Sequence, residues 1–240
     1  RSIRYPLTAK TMSATTISTS ALTTADVVER PSAAYESTAT DTNLEKRPGG
    51  YVTHTRKTGI AIGILMLTAF AFYGVGQGVI MATPRIGLIL IVLNSMVVTS
   101  LGYLFVVLLE DSGPVVSKLY LGTRILEAVL LAFGGILLYS SAVVPDGVLA
   151  AAVPTINNGA YQMGMFSLGI GSTLLFWSML AKKLLPKWLG IWGIVGYVLL
   201  STGSVLDLWG STMSLYVIVP GGLFEVVFAF WMIFKGVDHG

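Results

Sequence analysis

The sequence predicts an all-α membrane protein, a six-transmembrane-helix bundle that follows a disordered N-terminal tail. Two observations predict this fold. Six apolar runs follow one another after residue 58, and each is close to the roughly 20 residues that a helix needs to cross about 30 Å of hydrocarbon. The composition agrees, because 54% of the residues are hydrophobic and only 11% are charged, whereas about one quarter are charged in soluble domains.

The first 57 residues differ in composition from the rest of the chain. They are rich in Ser, Thr and Ala with scattered charges, and they lack the apolar periodicity that would offset the entropy cost of ordering. We therefore expect residues 1–57 to form a disordered cytoplasmic tail and residues 58–240 to form a six-helix transmembrane domain. A solvated tether is the simpler interpretation of the tail, and a regulatory or partner-binding segment is the alternative.

Each apolar run is predicted to form one helix, because the runs are continuously apolar, whereas the strands of a barrel alternate over segments of about ten residues. Turn-forming segments separate the runs, among them "ATPR", "EDSGP" and "LLPKW". The predicted spans are Gly59 to Met81, Ile86 to Leu109, Lys118 to Ser140, Met163 to Leu184, Trp188 to Trp209 and Ser214 to Lys235.

The longest connection, Val143 to Gln162, is predicted to be a loop on the outer side. It has no basic residue and contains Pro145, Pro154 and a pair of asparagines. We expect an ordinary loop in which residues Val148 to Val153 lie at the membrane surface or dip into it. A lid that covers a ligand is the alternative.

The orientation is predicted from the Lys and Arg residues near the helix ends, since these residues stay preferentially on the cytoplasmic side. If the tail is cytoplasmic, the outer side carries only Arg85. The cytoplasmic side then carries Lys46, Arg47, Arg56, Lys57, Lys118, Lys182, Lys183, Lys187 and Lys235. We therefore expect a multi-pass protein of the cell membrane with both termini in the cytoplasm.

Three charged residues lie deep inside the predicted helices, where each ionised side chain costs at least about 2.5 to 3.5 kcal/mol on insertion scales. Arg124 and Glu127 share one face of the third helix because they are three residues apart, and this face should point into the bundle. Glu225 lies at a similar depth in the sixth helix. We predict a buried charge cluster in which Arg124 contacts both acids and one proton can be shared.

A proline in the sixth helix predicts an irregularity near this cluster. Pro220 lacks an amide hydrogen and so cannot bond to the carbonyl of Tyr216, and Gly221 and Gly222 follow it. We expect a kink or a short break in the outer half of the helix, which would open a small polar pocket above Glu225.

Other small and polar residues within the predicted helices favour close helix packing. Asn94 and Ser95 should form hydrogen bonds between helices, with the lining of a polar cavity as the alternative. Glycines at helical spacing allow backbones to approach closely; they are Gly59, Gly63, Gly190, Gly193 and Gly196. We expect these glycines to pack within one chain, and a homo-oligomer through glycine-rich faces is the alternative.

Several classes of site are not expected. The chain has no cysteine, and its two histidines, His54 and His239, lie in terminal polar segments, so neither thiolate nor histidine metal sites are predicted within the membrane. The "GVGQG" segment lies in an apolar helix without a preceding strand, which is not the setting of a nucleotide site. Basic residues flank the apolar runs, as is typical of a lipid partner rather than nucleic acid. We predict no metal and no cofactor.

Three segments carry a resemblance to a known family: "LYLGTRILEAVLL", "LLPKWLGIWGIVGYVLL" and "GGLFEVVFAFWMIFKGV". They resemble the domain of unknown function 4386 family of uncharacterised, mainly bacterial integral membrane proteins, over about Thr58 to Val237. The marks of that family correspond here to Arg124 and Glu127, to Pro186 through Gly190, and to Glu225, Trp231, Lys235 and Gly236. The resemblance implies a topology and candidate positions, and it implies no activity.

Two hypotheses for the function come from different classes. The first is a structural or regulatory membrane component in which the buried charges fix the register of the helices. The alternative is a small proton- or cation-coupled transporter that uses Glu225 and Glu127, since carboxylates within the membrane often mark ion paths. An enzyme is not expected, because the predicted helices contain no recognisable catalytic constellation.

Overall fold

The computed structural model describes residues 48–147 and 150–237, with side chains from residue 56 onward. This part of the chain forms six helices, each long and apolar enough to cross a membrane. They are α1 (Pro48–Val79), α2 (Pro84–Leu108), α3 (Pro114–Val143), α4 (Val153–Ala181), α5 (Lys187–Leu208) and α6 (Ser214–Phe234). The predicted all-α membrane fold with six helices is confirmed.

The six helices form a closed ring. Each helix packs against the helices that precede and follow it, and α6 packs against α1. Consecutive helices run in opposite directions because the connections between them are short. We call the end of the ring where α1 begins and α6 ends the near side, and the opposite end the far side.

The first helix begins earlier than predicted. Because α1 starts at Pro48, the expected boundary between tail and helices at residue 57 falls inside it. The apolar part capable of spanning a membrane is Arg56–Val79, so the first turns of α1 extend the helix beyond its apolar part. The predicted tail up to residue 47 lies outside the described residues.

The fourth helix also begins earlier than predicted, at Val153 rather than Met163. About half of the expected outer loop is therefore helical, because Pro154 suits the first turn of a helix, where its missing amide hydrogen costs no bond. The polar residues here have partners: Asn158 Nδ2 donates to Asp207 Oδ1 on α5 at 2.8 Å. Polar side chains thus extend α4 instead of ending it.

Aromatic side chains fill the near half of the ring interior. Phe176 on α4 packs edge to face against Phe224 and Phe228 of α6, with ring centroids 5.0 and 4.9 Å apart. Phe105 of α2 packs edge to face on Tyr120 of α3 at 5.1 Å. These five residues are all at most 2% exposed, so the near half has a dense aromatic core that joins four helices.

The sixth helix runs without interruption from Ser214 to Phe234, through Pro220. The predicted short break is therefore absent, because the loss of one amide hydrogen leaves the flanking hydrogen bonds of the helix in place, whereas the kink stays a prediction. Gly221 serves packing instead: a methyl group there would lie 2.7 Å from the carbonyl oxygen of Gly196 on α5. Gly222 faces open space.

Glycines also bring α1 and α6 together. A methyl group at Gly63 would collide with the carbonyl oxygen of Ala229 and would lie 2.7 Å from Ile233 Cγ1. The faces around Gly63 and Gly196 are therefore occupied by contacts within one chain. The homo-oligomer through glycine-rich faces stays a prediction.

Candidate functional site

A cavity of about 160 Å³ lies inside the ring, on the far side of the aromatic core. Its walls come from α1, α2, α3, α4 and α6 and are mostly apolar, with Met66, Leu101 and Met165 among them. The polar and ionisable side chains that line it are Tyr73, Asn94, Arg124, Glu127, Tyr161 and Glu225. All three charged residues predicted for the cluster therefore line one cavity among the membrane-spanning helices.

Arg124 makes both of its hydrogen bonds within its own helix. Its Nη1 donates to Glu127 Oε2 at 2.9 Å, and its Nε donates to the hydroxyl of Tyr120 at 2.7 Å. These three residues share one face of α3 because they are spaced by four and three positions. Arg124 and Glu127 are each only 4% exposed, so this buried ion pair is satisfied inside α3 and does not join two helices.

Glu225 has a different partner from the one predicted. The hydroxyl of Tyr197 on α5 donates to Glu225 Oε1 at 2.7 Å. Within the described ranges no ion pair joins Arg124 to Glu225, so the predicted contact is wrong. The reason is local, because acceptors on α3 itself already engage Arg124, whose charge reaches Glu225 only through space.

The charges around the cavity do not balance when both acids are ionised. Arg124 and Glu127 compensate each other, which leaves the charge of Glu225 without a counter-charge in direct contact. Its Oε2 accepts no hydrogen bond from the described part of the chain. A proton or a bound cation would neutralise the site, because ions in a low-dielectric interior need compensation.

Asn94 on α2 is the most unusual polar residue of the cavity. It is only 1% exposed, yet neither Nδ2 nor Oδ1 has a hydrogen-bond partner among the described residues. Ser95 behaves as expected for helix packing, since its hydroxyl donates to the carbonyl of Ala128 on α3 at 2.9 Å. The two alternatives for this pair thus separate, with Ser95 linking helices and Asn94 lining the cavity.

Two tyrosines form the aromatic part of the cavity wall. The rings of Tyr73 on α1 and Tyr161 on α4 are stacked, with centroids 5.7 Å apart and planes 11° from parallel. Gln77 Nε2 donates to the Tyr73 hydroxyl at 2.9 Å, while the Tyr161 hydroxyl makes no hydrogen bond within residues 56–147 and 150–237. A lone tyrosine in an apolar run gives no sequence pattern, so Tyr73, Tyr161 and Tyr197 were not among the predicted site residues.

The remaining marks of the resemblance lie at the near side and have structural roles. Trp188 packs edge to face on Trp231 with ring centroids 5.7 Å apart, and the Trp231 indole donates to the Gly236 carbonyl at 3.0 Å. Gly236 has a positive φ of 80°, as is typical of the residue that ends a helix. Arg56 of α1 donates to the Phe234 carbonyl at 3.0 Å. Arg56 and Trp231 thus stabilise the C-terminal end of α6 through hydrogen bonds to carbonyl groups at that end.

Asp207 joins three helices at the far side. It accepts hydrogen bonds from Asn158 on α4 at 2.8 Å and from the hydroxyl of Ser214 on α6 at 3.0 Å. Its partners are polar side chains near the helix ends, where water can also solvate the carboxylate. Asp207 is therefore a structural carboxylate, in contrast to Glu225.

The described residues contain no group of three or more His, Asp and Glu side chains that could hold a metal ion. The two carboxylates of the cavity come from α3 and α6 and are accompanied by a guanidinium group. What the site offers is thus one uncompensated carboxylate, an amide with free donors and acceptors, and an aromatic wall.

Comparison with known proteins confirms the resemblance. A family model described as Domain of unknown function (DUF4386) matches residues 81–236, which is more than half of the chain and includes α2 to α6. No curated protein and no solved structure matches the chain. The matched part contains Asn94, Arg124, Glu127, Tyr197 and Glu225, whereas Tyr73 on α1 lies outside it. The chain belongs to the DUF4386 family.

Proposed function

We propose that this membrane protein is a small carrier in which Glu225 binds either a proton or a small cation inside the ring of helices. One observation carries the proposal: Glu225 faces an internal cavity without an ion-pair partner, while Arg124 is engaged within α3. Ionisable residues that face a cavity at membrane depth typically mark ion or substrate paths. The proposal assigns binding and movement of an ion, and no catalysed reaction.

A structural or regulatory component is the second candidate, and the hydrogen bond between Tyr197 and Glu225 favours it, because this bond joins α5 to α6. The ion pair of Arg124 and Glu127 gives it no support, since a pair within one helix cannot fix the register of two. A buried charge is also a costly way to link helices when neutral groups suffice. The carrier therefore accounts for more of the site than the structural role does.

The charges indicate how a proton and a cation would exclude each other. With Glu225 ionised, a monovalent cation in the cavity would neutralise the site; with Glu225 protonated, the site is already neutral and the cation has no counter-charge. The proton that leaves Glu225 on cation binding would pass to water. Besides Tyr197 on α5, the titratable and charged side chains around it are Tyr73 on α1, Tyr120, Arg124 and Glu127 on α3, and Tyr161 on α4.

The test is proton movement in proteoliposomes that contain a pH-sensitive dye and a potassium-valinomycin clamp on the membrane potential. Acid-loaded vesicles are diluted into chloride salts of sodium, guanidinium or tetramethylammonium, none of which crosses the bilayer as a neutral base. We expect at least one salt to accelerate proton efflux over protein-free vesicles. Glu225→Gln should reduce this efflux by about tenfold or more, because it removes the exchanging carboxylate.

Glu110→Gln is the matched control, because it makes the same chemical change at an exposed carboxylate between α2 and α3. It should leave the efflux unchanged. The proposal fails if a correctly folded Glu225→Gln protein matches wild type, or if no salt exceeds the protein-free rate.

We also propose that the near side of the ring faces the cytoplasm. Among the described residues, Arg85 is the basic residue at the far-side helix ends, and the near-side ends carry Arg56, Lys57, Lys118, Lys182, Lys183, Lys187 and Lys235. Lys and Arg are retained preferentially on the cytoplasmic side. This bias supports cytoplasmic termini for the multi-pass protein.

Single-cysteine labelling tests the orientation in a chain that has no native cysteine. Asp146→Cys lies in the exposed far-side connection and Asp111→Cys in the exposed near-side connection between α2 and α3. We expect an impermeant thiol reagent to label Asp146→Cys in intact cells and Asp111→Cys only after permeabilisation. The opposite pattern would reverse the orientation.

A further inference from the structure

The cavity combines features that recognise a particular kind of cation. Its volume of about 160 Å³ is close to that of an engineered protein cavity of about 150 Å³ that binds benzene. Most of its lining is apolar, contributed by side chains such as Met66, Val98 and Leu168. A bare metal ion would leave this apolar volume unused, whereas a ligand with a hydrocarbon part would fill it.

The polar groups select for a donor of hydrogen bonds. Glu225 offers Oε2, and Asn94 offers Oδ1, and neither oxygen accepts a hydrogen bond within the described parts of the chain. The Asn94 side chain is 99% buried, being 1% exposed, and it lines the cavity, so its missing partner must come from inside the cavity. A primary ammonium group carries three N–H donors and one positive charge: two donors can engage Glu225 Oε2 and Asn94 Oδ1, and the charge compensates the carboxylate.

The aromatic wall is consistent with the same chemistry. Tyr73 and Tyr161 present an electron-rich surface beside the carboxylate, and aromatic rings attract organic cations. Arg124 does not oppose such a ligand strongly, because Glu127 compensates its charge at 2.9 Å.

We infer that the cavity binds a small organic monocation, a primary ammonium group with a hydrocarbon part of about seven non-hydrogen atoms in total. The ammonium group lies between Glu225 and Asn94, and the hydrocarbon part lies against the apolar wall. This inference rests on the proposed function only for the role of Glu225 as the cation-binding carboxylate, and it names the substrate class of that site.

The experiment is equilibrium binding to the purified full-length protein in detergent, measured by calorimetry. The probe is cyclohexylammonium, and cyclohexanol is its neutral counterpart with the same ring and the same number of non-hydrogen atoms. We expect cyclohexylammonium to bind about tenfold or more tightly than cyclohexanol, because only the cation compensates Glu225. Tetramethylammonium, which has no N–H donor, should bind more weakly than cyclohexylammonium.

Two variants locate the site. Glu225→Gln and Asn94→Leu should each weaken cyclohexylammonium binding by about tenfold, since the first removes the negative charge and the second removes the acceptor Oδ1. Glu110→Gln should bind as wild type does. Equal binding of the alcohol and the cation to the wild-type protein, or no binding of the cation at all, would overturn the inference without requiring any variant to fold.

The outcomes separate the inference from the proposed function. If sodium or guanidinium drives proton efflux through Glu225 while cyclohexylammonium does not bind, the carrier stands and the substrate class is wrong. If cyclohexylammonium binds at Glu225 but no cation drives proton efflux, the binding site stands and the carrier is wrong.

Discussion

The two halves of the ring interior differ in which polar groups lack a partner among the described residues: in the near half it is the hydroxyl of Ser172, and in the far half they include the amide of Asn94. In the near half, the Trp231 indole and the Arg56 guanidinium donate to backbone carbonyls at the end of α6, and aromatic rings pack between the helices. In the far half, Asn94 has no partner within the described part of the chain, where the hydroxyl of Tyr197 is the one group that donates to Glu225. The near half therefore packs aromatic side chains between the helices, while the far half contains cavity-lining polar groups that lack protein partners among the described residues.

This difference also separates the marks by which the chain resembles its family. The Pro-Lys-Trp-Leu-Gly and Trp-x-x-x-Lys-Gly segments meet at the near side, where Trp188 packs on Trp231. Arg124, Glu127 and Glu225 meet at the cavity. The same linear resemblance thus contains one group of residues that pack at the helix ends and another group of charged residues that line the cavity.

The largest expected effect comes from removing the guanidinium at the boundary between the halves. Arg124→Ala leaves Glu127 buried without its ion-pair partner, so we expect the free energy of unfolding to fall by about 3–5 kcal/mol. Glu127→Gln should cost less, because Gln keeps the volume and still accepts a hydrogen bond from Arg124. Thermal unfolding in detergent, followed by circular dichroism, measures both.

Ile125→Ala is the control for this comparison, since Ile125 lies beside Arg124 on the outer face of α3 and is 45% exposed. If Arg124→Ala destabilises the protein no more than Ile125→Ala does, the guanidinium is not needed for the fold.

The second effect tests the packing between α1 and α6. Gly63→Ala places a methyl group against the carbonyl of Ala229 and Ile233, and overpacking of this kind typically costs about 1–3 kcal/mol. In the same helix, Gly78→Ala has nothing within 4 Å of the added methyl group and should be neutral or gain up to about 1 kcal/mol from helix propensity. The free energy of unfolding of both variants is measured by chemical denaturation. Equal values would show that α1 and α6 can move apart to accept the methyl group at little cost.

The third effect concerns the hydrogen bond between the Tyr197 hydroxyl on α5 and the Glu225 carboxylate on α6. Tyr197→Phe removes the donor to Glu225, and we expect a loss of about 1 kcal/mol, modest because the cavity can hydrate the carboxylate. Tyr216→Phe makes the same change at a residue that is 73% exposed and should cost nothing measurable.

A double-mutant cycle of Tyr197→Phe with Glu225→Leu, which removes the acceptor, should give a coupling of about 1 kcal/mol. A coupling near zero would mean that the two side chains do not interact in the folded protein.

The smallest expected effect on stability has the opposite sign. Asn94→Leu removes a buried amide without partners and adds apolar volume to a mostly apolar cavity, so stability should be unchanged or rise by up to about 1 kcal/mol. Ser95→Ala should instead lose about 1 kcal/mol, because Ser95 bonds to the carbonyl of Ala128. Greater destabilisation by Asn94→Leu than by Ser95→Ala in thermal unfolding would contradict the observation that Asn94 lacks a partner among the described residues while Ser95 bonds to Ala128.

The sequence alone determined the class of protein and its helices, because the length and hydropathy of a membrane-spanning segment are local properties that the bilayer imposes. The predicted helix boundaries differed from the structure where polar side chains have hydrogen-bond partners in another helix. At the start of α4, the bond between Asn158 and Asp207 belongs to tertiary structure, and no local pattern indicates it. The uninterrupted course of α6 through Pro220 was not predicted, because the sequence does not show whether the helix hydrogen bonds that flank a proline persist.

The partners of the buried charges were decided only by the tertiary structure. Depth along the helices placed Arg124, Glu127 and Glu225 at similar levels, and all three line the cavity. Depth does not say how the side chains are rotated, so it could not show that Arg124 turns to acceptors on α3 while Tyr197 on α5 meets Glu225. The length of each apolar segment is a property of the local sequence, whereas the pairing of polar groups depends on which helix faces meet in the closed ring.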